Sequence, residues 1–476
     1  MSKLPIMKKG IVRYLPIVCA LILSGCSTLT PEYSRTDLPV PNQWENAPNA
    51  EGDGLSTQLA TQVAWKNFIK DTRLSQVIEL ALNSNRSLRQ TLADVDAARA
   101  TYRIQNADLY PQVDVGLSGN RSKSSTGNIS TTYEAQGGLS GYEIDLFGKN
   151  RSLTTAQMEA YLASEETAKA AHISLIGEIT NAWLTLAADN NQLSLAKETA
   201  ANALKTMEIT NKRLELGVDS RIDVASAETI YFNARSDVAT YTTQVAQDLN
   251  ALRLLVGEEF DSSLLPESLP DSDNLVSDVP AGLTSLLLLQ RPDVLAAEHN
   301  LKSANANIGA ARAAYFPSIS LTATGGLASS VLADIFTGGA STIWTIAPSI
   351  TLPIFDGGAN DANLALSEAQ QRKYLAAYEY AIQLAFSEVA DALARRATIQ
   401  AQLQAEEALV SAATRSYDLS LARYKGGIDS FQNALEAQRT LYQAKQSLIL
   451  TNQADLTNRI ALYRVLGGGL AEHESN

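Results

Sequence analysis

The sequence is poor in the residue types on which catalytic and metal sites most often depend. Its 476 residues include two cysteines and three histidines, and aromatic residues make up 6%. His172, His299 and His473 are too far apart in sequence for a metal-ligand spacing. Neither a Walker A pattern nor a G-x-S-x-G nucleophile elbow is present. We therefore expect no enzymatic activity, no metal and no cofactor.

Long hydrophobic runs are also missing beyond residue 25. A membrane-spanning helix needs about 18 or more consecutive apolar residues, so we expect none in the mature chain. Transmembrane strands are still possible, because their signal in each segment is much weaker. Without residues 1–25 the chain has 34 basic and 51 acidic residues, a net charge of −17. Such acidity argues against nucleic acid as a partner.

The N-terminus has the features of a lipoprotein signal peptide. Three basic residues within the first thirteen positions precede an apolar run from Leu15 to Leu23, which ends in Ser24-Gly25-Cys26. This segment resembles a bacterial lipobox. We predict cleavage after residue 25, with diacylglycerol and N-palmitate on Cys26, and Ser27 favours sorting to the outer membrane. The alternative is an ordinary signal peptide followed by a chance cysteine. The other cysteine, Cys19, lies within the signal, so no disulfide framework is possible.

The chain contains an internal duplication with a period of about 208 residues. Landmarks of the first half recur in the same order in the second half. The matched pairs are Leu109-Tyr110-Pro111 with Tyr315-Phe316-Pro317, Asp145–Gly148 with Pro353–Gly357, Arg213–Ser220 with Arg423–Ser430, and Leu255–Gly257 with Val465–Gly467. Each half should therefore form the same set of helices and strands.

The pattern in each half predicts a helix, two strands, a very long helix and a shorter outgoing helix. The first helix is predicted as one continuous element that ends before proline. Ser, Gly and Thr between the strands predict a loop. The predicted ranges are 71–108, 291–314 or slightly earlier, strands from 113 and 319, loops 121–132 and 329–340, return strands 133–146 and 341–354, long helices 151–216 and 359–426, and outgoing helices to 256 and 466.

The long helices require lateral partners. Each would be about 100 Å long at 1.5 Å per residue, too long for a globular domain to enclose. Heptad spacing of Ile176, Ile179, Trp183 and Leu186 predicts coiled packing against neighbouring helices.

The long helices are predicted to end in tight turns. Gly217 and Gly427 suit the residue after a helix end. Asp219 and Asp429, each followed by serine, offer N-caps for the next helix. Ser220 and Asp223 have the spacing of a capping box.

These features divide the chain into six segments. The predicted domains are a signal peptide (1–25), an N-terminal anchor and equatorial segment (26–70), a first duct repeat (71–257), an equatorial linker (258–285), a second duct repeat (286–466) and a C-terminal tail (467–476).

Several motifs carry a resemblance to a known family. Gln290-Arg291-Pro292-Asp293, Pro353–Gly358 and Ala437-Gln438-Arg439, together with the duplication, resemble the outer-membrane factor family (TolC-like) in its lipoprotein branch. The resemblance implies an α+β membrane protein with four transmembrane β-strands and long periplasmic α-helices per subunit. It also implies a homotrimer that closes a 12-strand β-barrel continuous with an α-helical barrel.

The resemblance further implies a passive exit duct in the cell outer membrane. Its implied partners are outer-membrane lipid, a periplasmic membrane-fusion adaptor and an inner-membrane resistance-nodulation-division pump. Its implied periplasmic gate would use Glu436, with Asn433 where some relatives carry a second Asp, and Asp223 to help hold the tip closed. Three alternatives stay open: a lipid-anchored coiled-coil scaffold without a channel, a protein-secretion duct, and metal-ion efflux.

Overall fold

The computed structural model describes residues 28–35, 38–44, 64–271, 275–276 and 285–469. The predicted signal peptide and Cys26 lie outside them. In chain order the helices and strands are α1 (Trp65–Phe68), α2 (Thr72–Ser84), α3 (Arg86–Ala107), β1 (Val113–Lys123), β2 (Ile129–Glu143), α4 (Lys149–Glu215), α5 (Arg221–Val256), α6 (Pro292–Ala313), β3 (Ser318–Ser329), α7 (Leu332–Thr337), β4 (Ser341–Thr351), α8 (Ala359–Lys425) and α9 (Phe431–Val465).

The two halves have the same element order, as the duplication predicted. The long helices α4 and α8 each contain 67 residues. Their outgoing helices α5 and α9 contain 36 and 35 residues. The predicted combination of long helices with four strands is confirmed. Among the described residues, no helix has both the length and the apolar character needed to cross a membrane.

The four strands form one antiparallel sheet in the order β1-β2-β3-β4. Both hairpins come from one half each, and β2 pairs with β3 to join the halves. The outer strands are largely exposed and carry apolar residues such as Val115 and Ile350. Within the described residues, neither β1 nor β4 has a second strand partner.

The strands extend further into the turns than predicted. In the first half the predicted loop 121–132 is wrong, because β1 runs to Lys123 and β2 begins at Ile129. Ladder pairing such as Asn120 with Thr132 satisfies backbone groups that a loop would leave to water. In the second half, the predicted loop contains the short helix α7.

The first predicted helix is broken in the structure. It divides at Asn85, whose side-chain Oδ1 accepts a hydrogen bond from the Leu88 N–H at 2.8 Å. The same amide donates to the Leu255 carbonyl at 2.6 Å. Asn85 therefore caps a new helix instead of continuing the old one. In the second half, a 3₁₀ turn at Ser285–Gln290 precedes α6.

The chain forms two compact units, and each combines parts of both repeats. The first unit contains residues 1–37, 94–165 and 295–380, and the second contains 38–93, 166–294 and 381–476. The second unit has a core in which Phe68 stacks on Tyr463 with ring centroids 3.9 Å apart. The buried Trp183 donates its indole N–H to the Leu264 carbonyl at 3.1 Å. The predicted heptad stripe is buried in this core.

Candidate functional site at the helical turns

Two equivalent turns connect each long helix to its outgoing helix within the second unit. Gly217 and Gly427 have φ of 75° and 69°, the left-handed region that favours glycine. The N–H of the next residue donates back to the carbonyl of Arg213 or Arg423 in the last helical turn. These bonds satisfy carbonyls that the helix end leaves open, so both glycines act as predicted.

The first turn is tied to α8 through a buried carboxylate. Asp219 accepts hydrogen bonds from the Arg213 Nε at 3.1 and 3.0 Å and also from the Tyr424 hydroxyl. The Arg213 guanidinium carbon lies 4.7 Å from the Tyr424 ring centroid, a cation–π distance. The Asp219 side chain is only 6% exposed. Burial, and then the bond to Asp219, raises the pKa of Tyr424, so its hydroxyl stays a donor at neutral pH.

The second turn has the same pair of residue types in a solvent-exposed setting. Asp429 accepts a hydrogen bond from Arg423 Nη2 at 3.1 Å, and that bonding holds the pKa of Asp429 below its ordinary value. The Arg423 side chain is 55% exposed. The duplicated turns are therefore chemically alike but unequal in burial.

The structure corrects the predicted N-caps. Ser220 and Ser430, rather than Asp219 and Asp429, occupy the N-cap positions. Both aspartates instead pair with the arginine six residues earlier. The capping box is confirmed: Ser220 Oγ accepts from the Asp223 N–H at 3.2 Å, and Asp223 accepts from the Ser220 N–H at 2.9 Å. Ser430 makes no side-chain cap bond.

The predicted gate residues lie near the start of the outgoing helices. Glu436 and Asn433 are exposed on α9, about one turn apart. Asp223 is engaged in its own cap. Sequence reasoning missed Tyr424, Arg213 and Arg423. The equal spacing of arginine and aspartate in both copies was a usable signal, whereas nothing marked Tyr424 as a partner of Asp219.

Further up the second unit, α5 and α9 are joined by paired polar contacts. Tyr442 donates to Asp237 at 2.9 Å, and Gln446 donates to the Tyr241 hydroxyl at 3.3 Å. Asp189 of α4 shares a hydrogen bond with Asp248 of α5. Two carboxyls can share such a bond only if one holds a proton. Burial, followed by Asp248, raises the pKa of Asp189 to about 6.

We predict that Asp189→Asn weakens the pH dependence of stability. Because the folded-state pKa of Asp189 lies above its ordinary value, its contribution is present at acidic pH and is lost as pH rises through about 6. Asparagine keeps a donor but does not titrate. Denaturation midpoints from pH 5 to 7.5 should fall less in this variant than in the wild type. The exposed Asp96→Asn is the control, and equal pH slopes for all three proteins would contradict the assignment.

An ion cluster in the second unit joins three helices. The side chain of Arg291, just before α6, donates to Asp293 at 3.0 and 2.7 Å and to Glu388 of α8 at 2.7 Å. It also donates to the Val465 carbonyl at the end of α9 at 2.9 Å. The Arg291 side chain is 10% exposed. Among the described residues, no group of three or more His, Cys, Asp or Glu could hold a metal ion.

The fold and turns define a class of protein: a duplicated chain whose paired 67-residue helices are attached to a four-stranded sheet. The sequence matches the family described as outer membrane efflux protein over residues 77–258 and 283–468. The chain belongs to this family, so the predicted resemblance is confirmed. It is an outer-membrane protein. Assignment to the lipoprotein branch stays a prediction.

Similar proteins cover nearly the whole chain. The probable efflux pump outer membrane protein TtgC of Pseudomonas putida is 43% identical over 462 residues, which covers 96% of this chain and 95% of TtgC. The outer membrane protein OprJ of Pseudomonas aeruginosa is 39% identical over 467 residues, with 96% of each chain covered. The open state of the MtrE outer membrane channel of Neisseria gonorrhoeae has a TM-score of 0.84 at 36% identity, with 93% of this chain and 99% of MtrE covered.

Proposed function

We propose that this protein is the outer-membrane exit duct of a tripartite efflux system, passively conducting drugs or other small molecules to the exterior. The observation that carries the proposal is the family match over both halves of a duplicated helix-and-sheet chain. Relatives named as antibiotic and toluene efflux pump outer membrane proteins support efflux rather than protein secretion. A passive duct also requires no catalytic chemistry, in keeping with the scarcity of histidine and cysteine.

The sheet supports a homotrimer. Four strands cannot close on themselves, and unpaired backbone groups at an open edge are very costly in lipid. Three copies would supply twelve strands, with β1 of one copy pairing with β4 of the next. The exposed apolar residues of these outer strands would then face lipid. A scaffold without a channel would leave this face in water.

The second unit supports adaptor contact near the turns. A groove between α5 and α9 is lined mainly by polar side chains, including Ser226, Asn233, Gln438 and Gln443. A helical hairpin of a periplasmic membrane-fusion adaptor would fit such a groove. An inner-membrane resistance-nodulation-division pump would supply energy, since nothing in this sequence suggests nucleotide binding.

Reconstitution into planar bilayers tests the duct directly. Purified full-length protein should give stable trimer-sized channels with steady conductance and no need for an energy source. In cells, a deletion strain should become sensitive to antibiotics, dyes or metal salts, and a plasmid copy should reverse that sensitivity. Protein that stays monomeric and gives no conductance would contradict the proposal and favour the scaffold.

We predict that Glu436→Ala lowers the cation selectivity of these channels. Three exposed Glu436 carboxylates around one opening would attract cations and repel anions. The measurement is the reversal potential in a salt gradient. Glu407→Ala, further from the turns on α8, is the control. Unchanged selectivity in Glu436→Ala would make this residue part of an ordinary solvated helix face.

We predict that Cys26→Ser abolishes acylation. The thiol is the only group in the lipobox that can receive diacylglycerol, so labelled palmitate should enter the wild-type protein alone. The mutant should still be exported but should be less firmly held, since each buried CH₂ contributes about 0.8 kcal/mol to membrane binding. Palmitate entering the mutant would contradict the predicted lipid site.

A further inference from the structure

An extended segment at the N-terminus lies along the first unit. The residues Thr28–Arg35, here called the N-terminal strap, run antiparallel to α6. The carbonyls of Leu29 and Pro31 accept hydrogen bonds from Arg312 at 3.5 Å and from Asn305 at 2.8 Å. Further along, the strap reaches Glu298. The partner positions thus descend from 312 to 298 as the strap advances, so its N-terminal end lies nearest the sheet.

The far end of the strap is fixed by a buried ion cluster. Glu298, with a 3% exposed side chain, accepts hydrogen bonds from Arg35 at 2.6 Å and from Tyr33 at 3.1 Å. Lys302 lies 3.2 Å from the same carboxylate and 5.3 Å from the Tyr33 ring centroid. Burial alone would raise the pKa of Glu298, but Arg35 and Lys302 hold it below its ordinary value. The cluster therefore stays charged and paired at neutral pH.

The near end of the strap is fixed by close backbone packing. Thr30 Oγ1 lies 3.1 Å from Oγ of Ser152, which is fully buried on α4. A Cβ on Gly309 would lie 2.2 Å from Thr30 Oγ1 and 2.8 Å from its Cα. A Cβ on Gly148 would lie 2.8 Å from the Thr28 Cα. The absence of side chains at Gly309 and Gly148 thus makes room for the strap between α6 and the start of α4.

We propose that the N-terminal strap is a docking segment that holds the lipid-anchored N-terminus at the sheet end of the first unit. The acyl chains of Cys26 would then enter membrane lipid beside the ends of β2 and β3. Two peptide steps separate Thr28 from Cys26, and they can span at most about 7 Å. Ile144 and Phe316 expose apolar surface at this end. The proposal rests on the proposed function, which supplies the lipid and the membrane-embedded sheet.

Limited trypsin digestion of outer membranes that contain palmitate-labelled full-length protein tests the strap. Arg35 should resist cleavage in the wild type, because its side chain and the preceding residues are docked. In Gly309→Ala, cleavage after Arg35 should be about tenfold faster, since cleavage follows the population of the opened segment. The label should then move to a short peptide. Gly177→Ala is the matched control, because its Cβ would meet only the flexible Arg464 side chain, at 3.2 Å.

Equal cleavage rates in the wild type and Gly309→Ala would overturn the proposal. Should Gly309→Ala fail to accumulate, Glu298→Gln provides a second variant, which keeps the side-chain volume but removes the charge that pairs with Arg35. Its expected result is also faster cleavage. A Thr30→Cys, Ser152→Cys pair should form a disulfide that keeps the labelled peptide attached until reduction. Failure of that disulfide would equally overturn docking.

A photoreactive palmitate analogue tests where the acyl chains lie. Crosslinked peptides should come from residues 144–152 or 309–321, at the sheet end of the first unit. Crosslinks confined to other parts of the protein, or none at all, would overturn the placement. The disulfide reports strap docking even if palmitate never enters the chain. Bilayer conductance is measured separately, so failure of the duct function is distinguishable from failure of the strap.

Discussion

Arg291→Met lowers the stability of the second unit by about 3 kcal/mol, the low end of the range for breaking a buried ion pair. The low end applies because Asp293 and Glu388 reach solvent, with side chains 42% and 33% exposed. Methionine keeps much of the volume but removes four hydrogen bonds. The Val465 carbonyl, in the last turn of α9, would lose its side-chain donor. Three helix ends would thereby lose their common contact.

Denaturant unfolding in detergent, followed by helical circular dichroism, measures this effect. Arg291→Lys should recover only part of the loss, because an ammonium cannot reproduce the planar fork that binds two carboxylates and a carbonyl together. Arg415→Ala is the control, since the exposed Arg415 bonds only to Ser411. A midpoint for Arg291→Met within the range of the control would show that the cluster contributes little.

Asp219→Asn should open the periplasmic end of the duct, seen as a higher single-channel conductance at rest. The amide cannot pair with Arg213 as a carboxylate does, and it leaves Tyr424 with a weaker acceptor. Because Asp219 is buried, the expected loss is about 3–5 kcal/mol per chain, the range for breaking a buried pair. Such a loss exceeds what a single turn can absorb without moving away from α8.

The duplication supplies a matched control for this experiment. Asp429→Asn makes the same change at the equivalent turn, where Arg423 is mostly exposed. Exposed ion pairs contribute about 0–1 kcal/mol, so this variant should conduct much like the wild type. Tyr424→Phe should show an intermediate increase, because it removes one hydrogen bond but keeps the ring against Arg213. If both aspartate variants behaved alike, burial of the first turn would not control opening.

Local sequence rules predicted the elements whose signals repeat. The duplication, the long helices, the glycine turns and the Ser220–Asp223 cap all depend on residues within a few positions of each other, and the structure contains them. The break at Asn85 was missed because its cause is tertiary: the amide bonds to Leu255, 170 residues away. The extent of β1 and β2 was missed because ladder pairing can order residues of low strand propensity.

The site was predicted less completely for a similar reason. Glu436, Asn433 and Asp223 were placed by resemblance, and their roles at the gate stay predictions. Tyr424 and Asp219 are 205 residues apart, and no pattern in one segment indicates that they touch. Arg291 belongs to a recognised motif, but only the fold shows that its donors reach Glu388 and Val465. Contacts between distant segments are what one sequence reveals least.

The identical length of α4 and α8 limits how this gene can change in length. Tyr424, near the end of α8, meets Thr210 and Asp219 from the other repeat. Deleting one residue from α8 alone would turn Tyr424 by about 100° around the helix axis and shift it by about 1.5 Å. A deletion of seven residues would nearly restore the facing side, but only if the other repeat lost seven as well. Insertions and deletions should therefore be tolerated here only as paired steps of one heptad.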